Sequence, residues 1–249
     1  MSQSVAADLF SPEEQAEWIE EPDISHLVTE DDTPVDNLLV EKQQRLLTSC
    51  LYSSWKSGVP FLATANVGLF YTVNKPAIVP DILLSLDVEV PQDWQQKKNR
   101  SYFTWIISKP PEVVIEIVSN TVGNELGSKM KDYARIGVAY YVVYDPLQQL
   151  GDRLLQVHEL RGTSYTPLET TWMEPVGLGL TLWDGIFEGK QDTWLRWCDR
   201  DDSLIATGDE RAETERQRAE TERQRAETER QRAERLVEIL RSQGIDPDE

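Results

Sequence analysis

A mixed α/β (α+β) domain, with a sheet flanked by helices and a charged helix at the C-terminus, is the fold class this sequence predicts. Three observations predict it. Short apolar runs of β-type residues surround a helical segment in the order strand, helix, strand. Hydrophobic residues make up 39% of 249 residues, enough for one core with appendages. A seven-residue repeat then closes the chain.

Charge is distributed unevenly. The total is −19, yet residues 1–41 hold 12 acids and no Lys or Arg, while residues 42–208 hold 19 acids and 16 bases. The central part is therefore nearly neutral, and the acidity belongs to the ends. No apolar run of about 18 residues exists to span a membrane, and MSQSVAADLF lacks a signal-peptide pattern, so a cytoplasmic protein without membrane partners is expected. Two cysteines and two histidines exclude a disulfide framework and a histidine-rich zinc site.

Residues 1–35 read as a weakly ordered acidic arm punctuated by Pro12, Pro22 and Pro34. From Asp36 as N-cap, Leu39, Leu46, Leu47, Leu51 and Trp55 lay a stripe along a helix that Gly58 and Pro60 close. VPFLATA, NVGLFYTV and ILLSLDV read as a strand meander over 59–88, and the polar, proline-flanked segment 89–111 as an exposed loop or hairpin. VVIEIV at 113–118 is apolar enough to be a central strand covered on both faces. A helix over Asn124 to Ile136, stopped by Gly137, leads into a second buried strand, AYYVVYDP. Further strand-like segments follow over 153–183, and Trp183, Trp194 and Trp197 read as core packing. The main domain is thus placed at 36–200.

RAETERQ begins at Arg211, Arg218 and Arg225, and predicts a charged helix over 209–244. Taking Ala212, Ala219, Ala226 and Ala233 as one seam of a coiled coil, the partner seam holds Glu215, Glu222 and Glu229, so most of it makes a poor zipper. Arg–Glu pairs at i,i+4, worth about 0.2 to 0.5 kcal/mol each, support a solvated single helix. Only Leu236, Val237, Ile239 and Leu240 offer a stripe for a homodimer or a protein partner.

The chemical anomaly is Glu116, a carboxylate on the same strand face as Val114 and Val118. Buried there, it needs a cation, a hydrogen-bond network or a raised pKa; at a solvated strand end, it needs only an ordinary lysine partner. Asp81 follows Pro80 at the mouth of another strand, either as a second oxygen donor or as a turn cap. Two carboxylates from neighbouring strands suit Mg²⁺, which keeps several waters and takes few protein ligands. Lys129, at the start of the following helix, either reaches back over the Glu116 strand or pairs with Glu125 on its own helix. The segment GNELGSK is no phosphate loop: only three residues separate its glycines, and Met130 stands where Ser or Thr is required.

Together, PDILLSLDV, VVIEIVSNT and ELGSKMKDYARIGVAYYVVYDP resemble the Uma-type family of restriction endonucleases, over roughly residues 36–190. The resemblance implies a restriction-endonuclease-like fold of the PD-(D/E)XK superfamily, in which Asp81, Glu116 and the backbone carbonyl of Ile117 hold Mg²⁺ or Mn²⁺ for hydrolysis of DNA. It also implies a homodimer, because cutting both strands needs two sites. The superfamily lysine two residues after the Glu is absent, since Val118 stands there, and Lys129 matches the family's helix lysine. Glu125 stands where the family commonly has Asp, and Glu41 on the first helix corresponds to a supporting acid of related nucleases. For DNA contact the chain offers Lys97, Lys98 and Arg100 in the polar segment, and Lys131 and Arg135 beside Lys129 on the helix. The other reading is a nuclease fold without turnover, used as an interaction or oligomerising module.

Overall fold

A computed structural model describes residues 37–119 and 124–243. The acidic arm expected at 1–35 lies outside the described residues. Helix α1 (Leu38–Ser54) starts at Asn37 instead of Asp36, because the Asn37 side chain accepts from the amides of Leu39 and Val40. Its buried face carries Val40, Leu46, Leu47, Cys50 and Leu51, with Gln43 and Gln44 among them.

Six strands form the main sheet: β1 (Phe61–Ala65), β3 (Ile82–Leu86), β5 (Val113–Ile117), β6 (Tyr140–Tyr144), β7 (Leu155–Arg161) and β8 (Ser164–Pro167), in that spatial order. Only β5 and β6 run parallel, joined through helix α3 (Met130–Ile136); all other neighbours are antiparallel. A parallel pair needs such a crossover, which accounts for the strand, helix, strand pattern. The meander expected over 59–88 is broken: β2 (Leu69–Phe70) leaves the sheet and pairs in parallel with β4 (Tyr102–Phe103). The segment 89–111, expected to be exposed throughout, therefore buries Tyr102 and Phe103 and continues into the short helix α2 (Thr104–Ile107).

The sheet's two faces have separate cores. Val113, Ile115 and Ile117 point toward α1 and the hairpin of β9 (Gly179–Phe187) and β10 (Lys190–Cys198). Gln43 seals that contact by exchanging two hydrogen bonds with the backbone of Leu195, at 2.8 and 3.0 Å. Val114 and Val118 point the other way, toward Leu69, Tyr102 and Tyr133. Trp194 and Trp197 are buried, as expected, while Trp183 lies under the Arg196 guanidinium.

Helix α4 (Gly208–Ser242) is 35 residues long with no buried residue. Thr207 and Glu210 form a capping box, and buried Arg196 binds Glu210 through two nitrogens at 3.0 and 2.7 Å. The first turn is clamped to the domain, and the rest projects about 50 Å at 1.5 Å per residue. Among the described residues no helix is long and apolar enough to cross a membrane.

Candidate active site

The register of the sheet brings two carboxylates together. Ile82 stands opposite Ile115, so the next positions, Asp81 and Glu116, face each other across β3 and β5. This is the carboxyl end of β5, where crossover sheets leave room for ligands. The Ile117 amide donates to Asp81 Oδ2 at 2.6 Å, tying the carboxylate to the tip of that strand. Gln44 Nε2 on α1 donates to Asp81 Oδ1 at 2.9 Å.

Glu116 is 1% exposed. Its Oε1 accepts from the Tyr133 hydroxyl at 2.6 Å, and its Oε2 from Lys129 Nζ at 2.8 Å. Lys129 also stands 3.4 Å from Glu125 Oε1, so the two partners weighed for it are both present. Lys129 and Tyr133 are one helical turn apart, which lets both reach one carboxylate.

The helix expected over Asn124 to Ile136 is not continuous. Residues 125–129 form a wide π-type turn with Gly127 at φ −116°, ψ −105°, and the α-helix starts only at Met130. A Cβ on Gly127 would lie 2.0 Å from Asn124 Oδ1, so a larger residue there would displace the exposed Asn124 side chain beside the wide turn that carries Lys129.

Burial dominates the electrostatics. It pushes the Glu116 carboxyl up to about 7; Lys129 pulls the value back down, and Asp81, a like charge, raises it again. Burial pulls the Lys129 ammonium down, but Glu116, Glu125 and Asp81 outweigh it and hold the group above its ordinary value. Lys129 is therefore a permanent cation at neutral pH. The Tyr133 hydroxyl, raised by burial and then by Glu116, stays a hydrogen-bond donor.

Asp81, Glu116, Lys129, Glu125 and Ile117 thus meet at one edge, with Ile117 entering through its amide. Glu41 does not join them: its carboxylate accepts from Arg45 at 2.6 Å, half-exposed. The residue of α1 that reaches the group is Gln44, which sequence reasoning missed. Its signal was a polar side chain on the buried stripe, three positions before Leu47. Gln44 is held by a reciprocal amide pair with Asn66, two hydrogen bonds of 3.1 Å each, which orients its Nε2 toward Asp81. Tyr133 is a second site group that sequence reasoning missed: with Met130 and Ala134 it reads as one face of the helix, packed on the core. Lys131 and Arg135 are exposed on α3, with Arg135 paired to Asp132 at 2.7 Å. Arg100 donates to the carbonyls of Trp94 and Gln95 within its own loop. Asp145, after β6, caps a turn through the amides of Gln149 and Leu150.

Among the described residues no three or more His, Cys, Asp and Glu side chains are grouped to hold a metal ion. The donors at hand are hard oxygens: the Asp81 and Glu116 carboxylates, and the buried Glu125 Oε2, which has no hydrogen-bond partner among the described residues. That set fits Mg²⁺ or Mn²⁺, which take one or two carboxylates and otherwise water, and does not fit a thiolate or imidazole site.

A mixed sheet that sets an Asp, a Glu and a helix Lys at one edge defines the class, a restriction-endonuclease-like α/β domain. The model of the Uma2 family, described as putative restriction endonuclease, matches residues 28–183, and the chain belongs to that family. A solved structure, described as a putative nuclease belonging to DUF820 from Anabaena variabilis ATCC 29413, is similar at a TM-score of 0.40 and 15% identity, covering 55% of this chain and 71% of that one. No functionally curated protein matches the chain.

Proposed function

We propose that the protein is a divalent-metal-dependent endonuclease hydrolysing phosphodiester bonds of DNA, with Asp81 and Glu116 as metal ligands and Lys129 as electrostatic helper. One observation carries the reading: two carboxylates from adjacent strands face each other while a lysine, held protonated, donates to the buried one. Membership of a family described as putative restriction endonucleases supports it.

Asp81 and Glu116, with the Ile117 carbonyl, would hold Mg²⁺ or Mn²⁺. When bound, the ion lowers the pKa of a bound water and supplies positive charge at a phosphoryl oxygen. The remaining work falls to the chain. Lys129 presents an ammonium at the scissile phosphate, where it offsets charge developing on the phosphoryl oxygens and directs the attacking water. Tyr133 and Lys129 fix the Glu116 carboxylate from two sides, and Gln44 and the Ile117 amide fix Asp81, so both acids are oriented before substrate arrives. Glu125 keeps Lys129 charged. Lys129 fills the role of the missing lysine at position 118, because the wide turn carries its amine to the same carboxylate. Lys97, Lys98, Arg100, Lys131 and Arg135 are the proposed phosphate contacts, and a homodimer is proposed for double-strand cutting.

The test is calorimetric titration of Mg²⁺ and Mn²⁺ into wild type, Asp81→Ala and Glu116→Ala, beside a plasmid-nicking assay. Binding and nicking in wild type, both abolished in the variants, is the expected result. Wild type that binds neither ion and nicks nothing defeats the proposal. That negative result would support the second reading, a nuclease fold without turnover used as an interaction module, which the missing lysine at position 118 favours.

A further inference from the structure

We infer that the outer edge of β9 is a self-pairing surface: its stretch from Leu182 to Ile186 adds antiparallel to the same stretch of a second copy of this chain, joining two β9–β10 hairpins into one continuous sheet. The inference gives a surface to the homodimer proposed above and rests on that part of the reading alone.

An open strand edge exposes unpaired amides and carbonyls that template another strand, so folded chains close their edges. At one end of the six-stranded sheet the Tyr52 hydroxyl sits on β1, accepting from the Ala63 amide at 3.0 Å and donating to the Ala63 carbonyl at 3.1 Å. At the other end β8 is four residues long and finishes at Pro167. In the hairpin, β10 is closed at three places. Gln43 binds Leu195, the Tyr144 hydroxyl donates to the Thr193 carbonyl at 2.5 Å, and the Ile205 amide donates to the Trp197 carbonyl at 2.9 Å.

β9 differs. Leu195 turns its amide and carbonyl away from β9 to Gln43, so its cross-strand neighbour Leu182 turns its own away from β10. By the same alternation Leu180, Asp184 and Ile186 also face outward. The Leu180 amide donates to the Thr171 carbonyl at 3.3 Å. From there to the turn at Glu188 and Gly189, no strand or backbone group among the described residues pairs with this edge. The open stretch carries Leu182 and Ile186, 37% and 65% exposed, and contains neither proline nor lysine to guard it.

This stretch is its own complement. Thr171 bounds it at one end and the hairpin turn at the other, so a second copy laid antiparallel about Asp184 fills it from end to end. Leu182 then faces Ile186 of the second copy, Ile186 faces Leu182, and every outward pair exchanges two backbone hydrogen bonds. Moving the register one step sets Ile186 against Leu180, already bonded to Thr171, or Leu182 against Glu188 in the turn. Apolar surface continues past the Ile186 end. Lys42 and Arg45 of α1 hold Glu188 at 2.7 and 3.4 Å, and Leu38, one turn before Lys42, is 81% exposed. The like-charge contact lies at the centre, where Asp184 faces Asp184. Its Oδ1 accepts from Thr193 Oγ1, which keeps the carboxylate on that face and makes it a marker of the register.

The experiment is analytical ultracentrifugation over a dilution series in EDTA, with full-length wild type, Leu182→Glu/Ile186→Glu and Asp184→Asn. Wild type should dimerise. The double variant should weaken the dimer by more than about 30-fold, because it sets glutamates opposite each other at both ends of the ladder. Asp184→Asn should tighten it by about 2- to 5-fold, because the central repulsion is gone. Native mass spectrometry of isotope-labelled wild type mixed with Asp184→Lys should show more mixed dimer than the statistical share, since unlike charges then meet at the centre. These two exposed-site variants decide the question without the double variant, should that one fail to fold. A dimer indifferent to all of these substitutions overturns the inference and leaves the homodimer to another surface. A monomeric wild type overturns the inference and the homodimer together, and leaves metal-dependent nicking to its own assay.

Discussion

The carboxylate edge and helix α4 are built from the same chemistry, glutamates paired with cations one helical turn or one strand away, and they behave as opposites. Glu116 meets Lys129 with its side chain 2% exposed, whereas Glu213 meets Arg216 in α4 with the two side chains 54% and 75% exposed. In the tail, water already solvates each charge, so pairing adds a few tenths of a kcal/mol and any one pair is dispensable. At the edge, the sheet has removed the water. The Glu116 carboxyl is pushed up to about 7, and each hydrogen bond to it becomes a condition for keeping the charge. Arg196 with Glu210 joins the two regimes: the guanidinium is 1% exposed and the carboxylate 42%, at the point where the tail leaves the domain.

The largest expected effect concerns the pH dependence of that difference. Because the folded-state pKa of Glu116 is raised above its unfolded value, its protonation stabilises the fold fully below about pH 4.5, and this contribution is lost as pH rises through about 7. Glu116→Gln removes the titration. Chemical denaturation should show the variant gaining on wild type between pH 5 and pH 8, by an amount on the order of 3 kcal/mol. A gap independent of pH would mean that Glu116 is solvated like the tail glutamates.

Next in size is the loss of the cation. Lys129→Met should cost about 1 to 3 kcal/mol at pH 8, since it strands a buried carboxylate, the figure being reduced because Lys129 is itself about a third exposed. The cost should shrink at pH 5, where Glu116 is protonated. Equal costs at the two pH values would break the comparison.

Gln44→Ala should leave the melting temperature nearly unchanged in the absence of metal and weaken Mn²⁺ binding about tenfold, with Gln44→Glu distinguishable by its added charge. Calorimetry on the two variants checks this, and unchanged affinity would show that Asp81 is positioned without Gln44. The smallest effect belongs to the tail. A double-mutant cycle on Glu213 and Arg216 should give a coupling energy below about 0.5 kcal/mol, falling further in 1 M salt. A coupling above about 1 kcal/mol would indicate that a partner buries this face.

Much of this arrangement is legible in the linear pattern. The central strand, the strand, helix, strand order and the alternation placing Glu116 with Val114 and Val118 follow from periodicities of two and 3.6 residues. The tail helix follows from an exact repeat. What escapes that pattern is set by contacts distant in sequence. β2 leaves the expected meander because its partner, β4, lies about 33 residues further on, and the α-helix starts at Met130 only after the wide turn over residues 125–129. The family resemblance points to Glu41 on α1, whereas the structure brings Gln44 to Asp81. The value of Gln44 depends on Asn66 and Asp81, 22 and 37 residues away.

The sequence by itself determined which residues are apolar, which strands are central and which acids and lysines were available for chemistry, because local periodicity and charge are properties of the linear chain. Only the tertiary structure decided that Asp81 faces Glu116, that Lys129 donates to Glu116 as well as meeting Glu125, and that Glu116 is desolvated while Glu213 is not. Register and burial are set by the packing of segments far apart in sequence, and a carboxylate's free energy depends on the water left around it.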